Sequence, residues 1–143
     1  MNSYSKNQYR KRVFKNTRNA HGYENTEDYL ELIADLISLN GEARIVDIAK
    51  NLGISQATAN KTVKRLKKQK YIKKDPYRSI FLTTIGKKIA IKSKKRHKIV
   101  YNFLINLGLS KNIAQLDSEG IEHHVSDFTL KKLKNFNKIK NKK

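Results

Sequence analysis

The amino-acid sequence predicts a mainly α-helical fold, an N-terminal winged helix-turn-helix with a small two-stranded wing followed by a helical domain. Three observations predict it. Apolar residues recur at helical spacing through much of residues 26–39, 45–52, 59–66 and 85–107. A glycine-containing turn at Gly53 separates two short amphipathic segments, the arrangement of a helix-turn-helix. Beyond it, two alternating stretches flank Asp75-Pro76-Tyr77-Arg78, whose Asp-Pro start favours a turn.

Residues 1–23 read as a flexible basic arm, rich in Asn, with one clustered apolar pair at Val13–Phe14. The winged domain is predicted over 24–92. Its first helix, 26–39, places Leu30, Ile33 and Ile37 beside Tyr29, Leu32 and Leu36, so most of its circumference is buried. Thr26 is the expected N-cap, and Asn40–Gly41 tolerate the left-handed conformation that ends a helix. The segment 44–54 turns Ile45, Ile48, Ala49 and Leu52 inward and stops at Gly53; Ser55 then caps a second helix to Gln69. Strands are expected at 71–74 and 79–83. A long helix over 84–107 leads into the helical domain, 93–137, with a turn at 108–110, a short helix, and further helices over 118–125 and 128–136. The end, 138–143, is lysine-rich and expected to fray.

At 143 residues the chain is about one domain long, since domains run to roughly 150 residues, which excludes a large multi-domain enzyme. Zero cysteines exclude a disulfide framework, a thiolate metal site and a cysteine nucleophile. No apolar run spans a bilayer and no signal-peptide core is present, so a cytoplasmic location with no membrane partner is expected.

The net charge is +20 and it is segregated. Residues 24–43 hold six acids and no base, whereas residues 44–98 hold 18 bases and two acids. Such a field attracts polyanions, and a helix-turn-helix inside the basic stretch points to double-stranded DNA. With Ala59, Val63 and Leu66 inward, Ala57, Lys61, Lys64 and Lys68 face outward, flanked by Gln56, Thr58, Asn60 and Arg65. The helix N-terminus at Ser55 suits base reading, because Gln and Asn bind adenine edges and alanine and threonine methyls meet thymine; the lysines suit phosphates. Arg78, at the wing tip, could reach a minor groove or the flanking backbone.

The acids mark a second chemistry. Asp28 and Glu31 are spaced i, i+3 on a mostly apolar helix, where charge is costly unless a cation opposes it. Glu119, Glu122 and His123 share another helical face, and His97 sits on the long helix between. Together they are enough ligands for one or two divalent ions. Carboxylates with a minority of imidazole suit Mn²⁺ or Fe²⁺, permit Zn²⁺, and hold too much nitrogen for a preferred Mg²⁺ or Ca²⁺ site. By spacing alone, a solvated face with a salt bridge to Lys or Arg is the commoner reading of Glu119, Glu122 and His123. His124, Asp35, Asp117 and His21 read as structural or solvent-facing, His124 at most supporting a ligand.

These residues also carry a resemblance. Glu27-Asp28-Tyr29-Leu30-Glu31-Leu32-Ile33, Gly41-Glu42-Ala43-Arg44 leading into Val46-Asp47-Ile48-Ala49, Tyr77-Arg78 with Phe81-Leu82-Thr83, Arg96-His97 and Glu119-Gly120-Ile121-Glu122-His123-His124 resemble the manganese-responsive regulators of the diphtheria toxin repressor family. The resemblance covers roughly residues 25–130. It implies a homodimeric repressor of manganese-uptake genes that binds palindromic operators when loaded with metal. It also implies metal ligands at Asp28, Glu31, His97, Glu119, Glu122 and His123. Iron-responsive relatives place Met and Cys where this chain has Asp28 and Glu119, so the resemblance favours Mn²⁺. They carry a third, SH3-like domain, for which no residues remain after Phe136. The lysine excess and the short C-terminus depart from the family pattern.

Two rival readings follow from the residues. A metal-independent winged-helix regulator, or basic architectural DNA-binding protein, would ignore chelation. A small dinuclear metal enzyme would need a substrate pocket, a nucleophile and a spare general base, none of which is legible, so neither enzyme activity nor a small-molecule substrate is expected.

Overall fold

The computed structural model describes residues 3–74, 76 and 79–141, without the side chains of 3–7, 12 and 14–24. The side chain of His21 and the whole of Arg78 therefore lie outside the described residues. In order the elements are α1 (Ser3–Asn40), α2 (Ile45–Leu52), α3 (Gln56–Lys68), β1 (Ile72–Lys74), β2 (Ile80–Leu82), α4 (Thr84–Asn106), α5 (Lys111–His124) and α6 (Asp127–Lys140). They form two compact units, residues 26–94 and residues 1–25 with 95–143.

The first unit is the winged helix-turn-helix. Its core joins Tyr29, Leu30, Ile33 and Leu36 of α1 to Ile48 and Ala49 of α2, Ala59, Val63 and Leu66 of α3, the strand residues Ile72, Ile80 and Leu82, and Ala90 of α4. Burying each large side chain is worth about 1.5–3 kcal/mol, so this apolar set locks the helices together. Gly53 ends α2 in the left-handed region, φ 64°, which turns the chain toward α3 within three residues. Ser55 caps α3 by accepting from the Thr58 amide at 3.1 Å. The strands pair antiparallel with Ile72 opposite Leu82, and Ile80 N–H donates to Ala43 C=O at 2.8 Å, tying the wing to the loop before α2. Thr83 then caps α4 from just before it, its hydroxyl accepting from Gly86 N–H at 3.1 Å. Gly86 sits so close to Tyr71 that an added Cβ would lie 2.1 Å from the Tyr71 carbonyl oxygen.

The second unit buries Val100 and Leu104 of α4 with Ala114 of α5, flanked by Phe103, Leu109, Leu130 and Leu133. Asn137 on α6 donates to Ile99 C=O at 3.0 Å and accepts from Asn106 at 3.0 Å, a polar clasp between α4 and α6. Phe103 and Phe136 add an edge-to-face contact at 5.3 Å.

Three boundaries differ from the sequence expectation. Helix α1 starts at Ser3, whereas composition pointed to an arm without regular structure over 1–23. Once 26–40 is helical, extension adds one hydrogen bond per residue without a new nucleation cost, and no proline interrupts it. Thr26 is consequently no N-cap: it is a buried interior residue whose hydroxyl accepts from Arg65 at 3.3 Å. The short helix and the 118–125 helix are one element, α5, because Ala114, Ser118 and Glu122 form one buried face across the expected break and neither glycine nor proline interrupts 111–118. The last helix also continues to Lys140 rather than fraying at 138.

Candidate metal centre and nucleic-acid face

The second unit gathers three cation-ligating side chains. His97 comes from α4, and Glu119 and Glu122 come from successive turns of α5. One ligand atom from each lies within 4.8 Å of the others. His97 Nδ1 is 3.0 Å from Glu122 Oε2 and 3.6 Å from Glu119 Oε1. Glu122 is only 2% exposed, and its other oxygen, Oε1, lies 3.4 Å from His123 Nε2. A carboxylate so deeply buried between two imidazoles is costly to desolvate, and a shared divalent cation would offset that cost. With oxygen and nitrogen donors and no cysteine in the chain, the residues fit such an ion.

The scaffold beneath is Arg96. Its guanidinium, 8% exposed, donates to Glu122 C=O at 2.7 and 3.2 Å, to Val125 C=O, and to Asp127 at 2.7 Å. It fixes the end of α5 and the start of α6, and so the height at which Glu122 is presented. This role of Arg96 was not legible in the sequence, where it stands only as the neighbour of His97. Nor was that of Gln115, whose amide touches both His97 Nε2 at 3.2 Å and Glu119 Oε1 at 2.9 Å. The available signal was its i−4 spacing from Glu119.

Asp28 and Glu31 lie in the first unit, half-buried on α1 at i, i+3. Asp35, read as structural, forms an ion pair with Lys94. Asp117 and His124 are exposed.

The nucleic-acid face is α3. Gln56, Ala57, Thr58, Lys61 and Lys64 are exposed on it, with Ser55 at its cap. Asn60 is half-buried and accepts from Lys74 of β1 at 3.3 Å, while Arg65 is directed to Thr26. A groove of about 730 Å³ opens beside the N-terminal end of α3, lined by Arg44, Val46, Gln56, Ala57, Asn60 and Lys74 among others. Arg44 and Lys74 add two cations to this face beyond those expected from the sequence. Arg44 also pairs with Glu42, and Ser79, just before β2, donates its hydroxyl to the same carboxylate. The Ser79 hydrogen bond, then the Arg44 guanidinium, hold the Glu42 carboxyl below its ordinary range.

Fold and site together define a winged-helix DNA-binding protein whose helical unit carries a cation-ligating cluster. The chain belongs to the iron-dependent repressor family, and is a transcription regulator of that family. Residues 22–80 match the family's N-terminal DNA-binding domain and residues 83–139 its metal binding and dimerisation domain. Over 117 residues it is 52% identical to the transcriptional regulator MntR of Escherichia coli O157:H7, covering 82% of this chain and 76% of that one. It is 40% identical over 100 residues to the HTH-type transcriptional regulator MntR of Bacillus subtilis, 70% of each. Among solved structures it is similar to the manganese regulator SloR, with a TM-score of 0.69, 28% identity, and coverage of 78% of this chain and 52% of that one. A manganese-dependent transcriptional repressor in complex with manganese superposes with a TM-score of 0.70 at 25% identity, covering 79% and 52%. The chain spans about half the length of these two solved structures. No helix among the described residues is long and apolar enough to cross a membrane.

Proposed function

We infer that this chain is a manganese-responsive, cytoplasmic repressor of manganese-uptake genes that binds palindromic operators as a metal-loaded homodimer. The observation that carries the reading is the cluster of His97, Glu119 and Glu122, an oxygen-rich donor set built into the domain its family uses for metal binding. Relatives named MntR and the manganese-bound repressor structure support Mn²⁺ over Fe²⁺ or Zn²⁺. The proposed ligands are His97, Glu119, Glu122 and His123, with Asp28 and Glu31 of α1 as the further members. A bound divalent ion supplies positive charge that makes the clustered carboxylates compatible with one another.

The chain's own residues do the rest. Arg96 holds the α5 backbone at Glu122, and His97 meets that carboxylate from α4. At the other site, Ser55 pre-forms the first turn of α3, so Gln56, Ala57, Thr58 and Asn60 meet base edges while Lys61, Lys64 and Arg65 meet phosphates. Arg78 is proposed as a wing contact. The homodimer face is assigned to α5, where exposed Leu116 and Ile121 line a hollow with Gly120 and Val125.

Binding to a palindromic operator fragment from a manganese-transporter promoter tests the reading, at fixed salt with chelator, Mn²⁺, Fe²⁺ or Zn²⁺. Glu119→Ala is the informative variant, since the exposed Glu119 side chain can be removed without opening the core. Mn²⁺ should tighten wild-type binding, and the variant should lose that gain. Equal affinity with chelator and with Mn²⁺ would instead identify a metal-independent winged-helix DNA binder.

A further inference from the structure

The geometry points to Gln115 as a positioning residue of the metal centre, an amide that sets which ring nitrogen of His97 carries the proton and couples His97 to Glu119. This rests on the metal-sensing reading above. Gln115 stands one turn before Glu119 on α5, and its Nε2 contacts two groups at once, Glu119 Oε1 at 2.9 Å and His97 Nε2 at 3.2 Å. A carboxylate oxygen can only accept, so the Glu119 contact requires the NH₂ end of the amide at that position. The same NH₂ meets His97 Nε2, and that contact is satisfied only if Nε2 accepts. A neutral His97 therefore carries its proton on Nδ1, the atom that faces both carboxylates.

Sharing a divalent cation among His97, Glu119 and Glu122 demands the opposite tautomer. Nδ1 must present its lone pair, which places the proton on Nε2. An Nε2–H opposite an NH₂ sets donor against donor. Rotating the Gln115 amide by half a turn presents Oε1 instead, an acceptor for Nε2–H, and withdraws the donor from Glu119. The carboxylate of Glu119 is thereby released at the step that readies His97. The exchange is balanced: one proton leaves Nδ1 to solvent and one arrives at Nε2 from solvent. The two ligands are recruited together, because one amide cannot satisfy the metal-free partner of one and the metal-bound partner of the other. Partners behind metal ligands commonly change affinity by about 10–100-fold, which sets the scale expected here.

The test uses the ¹⁵N-labelled chain without metal, at a pH of about 8. Long-range ¹H–¹⁵N imidazole spectra report the tautomer of His97, assigned by its loss in His97→Asn. Wild type should show the proton on Nδ1. Gln115→Glu, whose carboxylate only accepts, should move it to Nε2, and Gln115→Leu should give a mixture. In parallel, Mn²⁺ titration followed by electron paramagnetic resonance should show about tenfold weaker binding in Gln115→Leu. Gln115 is exposed, so neither substitution disturbs the core. An Nε2 proton, or protons on both nitrogens, in metal-free wild type overturns the inference. So does an unchanged tautomer in Gln115→Glu, or wild-type Mn²⁺ affinity in Gln115→Leu. A wild-type chain that binds no Mn²⁺ sinks the sensing reading and with it the role of Gln115 toward metal, whereas failure of the Gln115 arms alone leaves sensing intact.

Discussion

Arg96 concentrates several functions in one buried side chain. Its planar fork reaches two backbone carbonyls and a carboxylate from a single position, geometry that a lysine ammonium cannot reproduce. Arg96→Met keeps the apolar stem and leaves the buried carbonyl of Glu122 and the half-buried carbonyl of Val125 without this donor, so urea unfolding should lose about 2 kcal/mol. A loss under 0.5 kcal/mol in such titrations would mean that solvent replaces the guanidinium. At Glu42 the argument concerns protons. Its folded pKa is lowered from 4.5 by Ser79 and Arg44, so its stabilising contribution is complete above 4.5 and disappears as pH falls through the lowered folded value. Glu42→Gln should therefore destabilise the protein at neutral pH, with the difference from wild type shrinking below pH 4.5 in acid titrations followed by circular dichroism. A difference that persists unchanged at strongly acidic pH would contradict this linkage.

Among the elements, α3 and α5 carry most of the proposed contacts. Removing the α3 cap with Ser55→Ala should cost about 1 kcal/mol in thermal or urea unfolding, because the Thr58 amide loses its acceptor. Lys61→Ala and Lys64→Ala belong to the same helix and test a different property. Each should weaken DNA binding on any sequence and lower the slope of log affinity against log salt by about 1 if it meets a phosphate. Helix α5 divides its circumference into three roles. Ala114, Ser118 and Glu122 are buried, Gln115 and Glu119 turn toward His97, and Ile113, Leu116, Gly120 and Ile121 are exposed. Leu116, 74% exposed, is the largest unpartnered commitment of apolar area on that last face. Leu116→Glu should convert a dimer to a monomer in light scattering while leaving far-ultraviolet spectra unchanged.

At the level of the whole molecule, a charge of +20 supplies affinity for any polyanion, and regulation must work on top of that background. Linkage requires that metal and operator help each other equally. The factor by which Mn²⁺ tightens operator binding should equal the factor by which operator tightens Mn²⁺ binding, measured by calorimetry at one salt concentration. Unequal factors would indicate a further species, such as a change of oligomeric state. Raising salt should weaken the basal attraction of the lysine-rich chain for DNA of any sequence, because phosphate contacts release counterions.

The helix-turn-helix was legible in the residues because each signal is local. The Ile48 and Ala49 face, the Gly53 stop, the Ser55 cap and the alternating wing all act within a few residues, and all are present in the structure. Spacing likewise placed Glu119 and Glu122 on one face of a helix. The true start of α1 was not legible, since helix propagation from a buried segment overrides weak local composition. Neither was the joining of the short helix to the 118–125 helix as one α5, because that join depends on burying Ala114, Ser118 and Glu122 along one face. Only the tertiary structure brought His97 to the two glutamates from another helix, buried Glu122, and set Arg96 and Gln115 behind them. The physical reason is range. Caps, turns and faces are decided by neighbours in the chain, whereas a ligand cluster is decided by how packed helices rotate their faces toward one another.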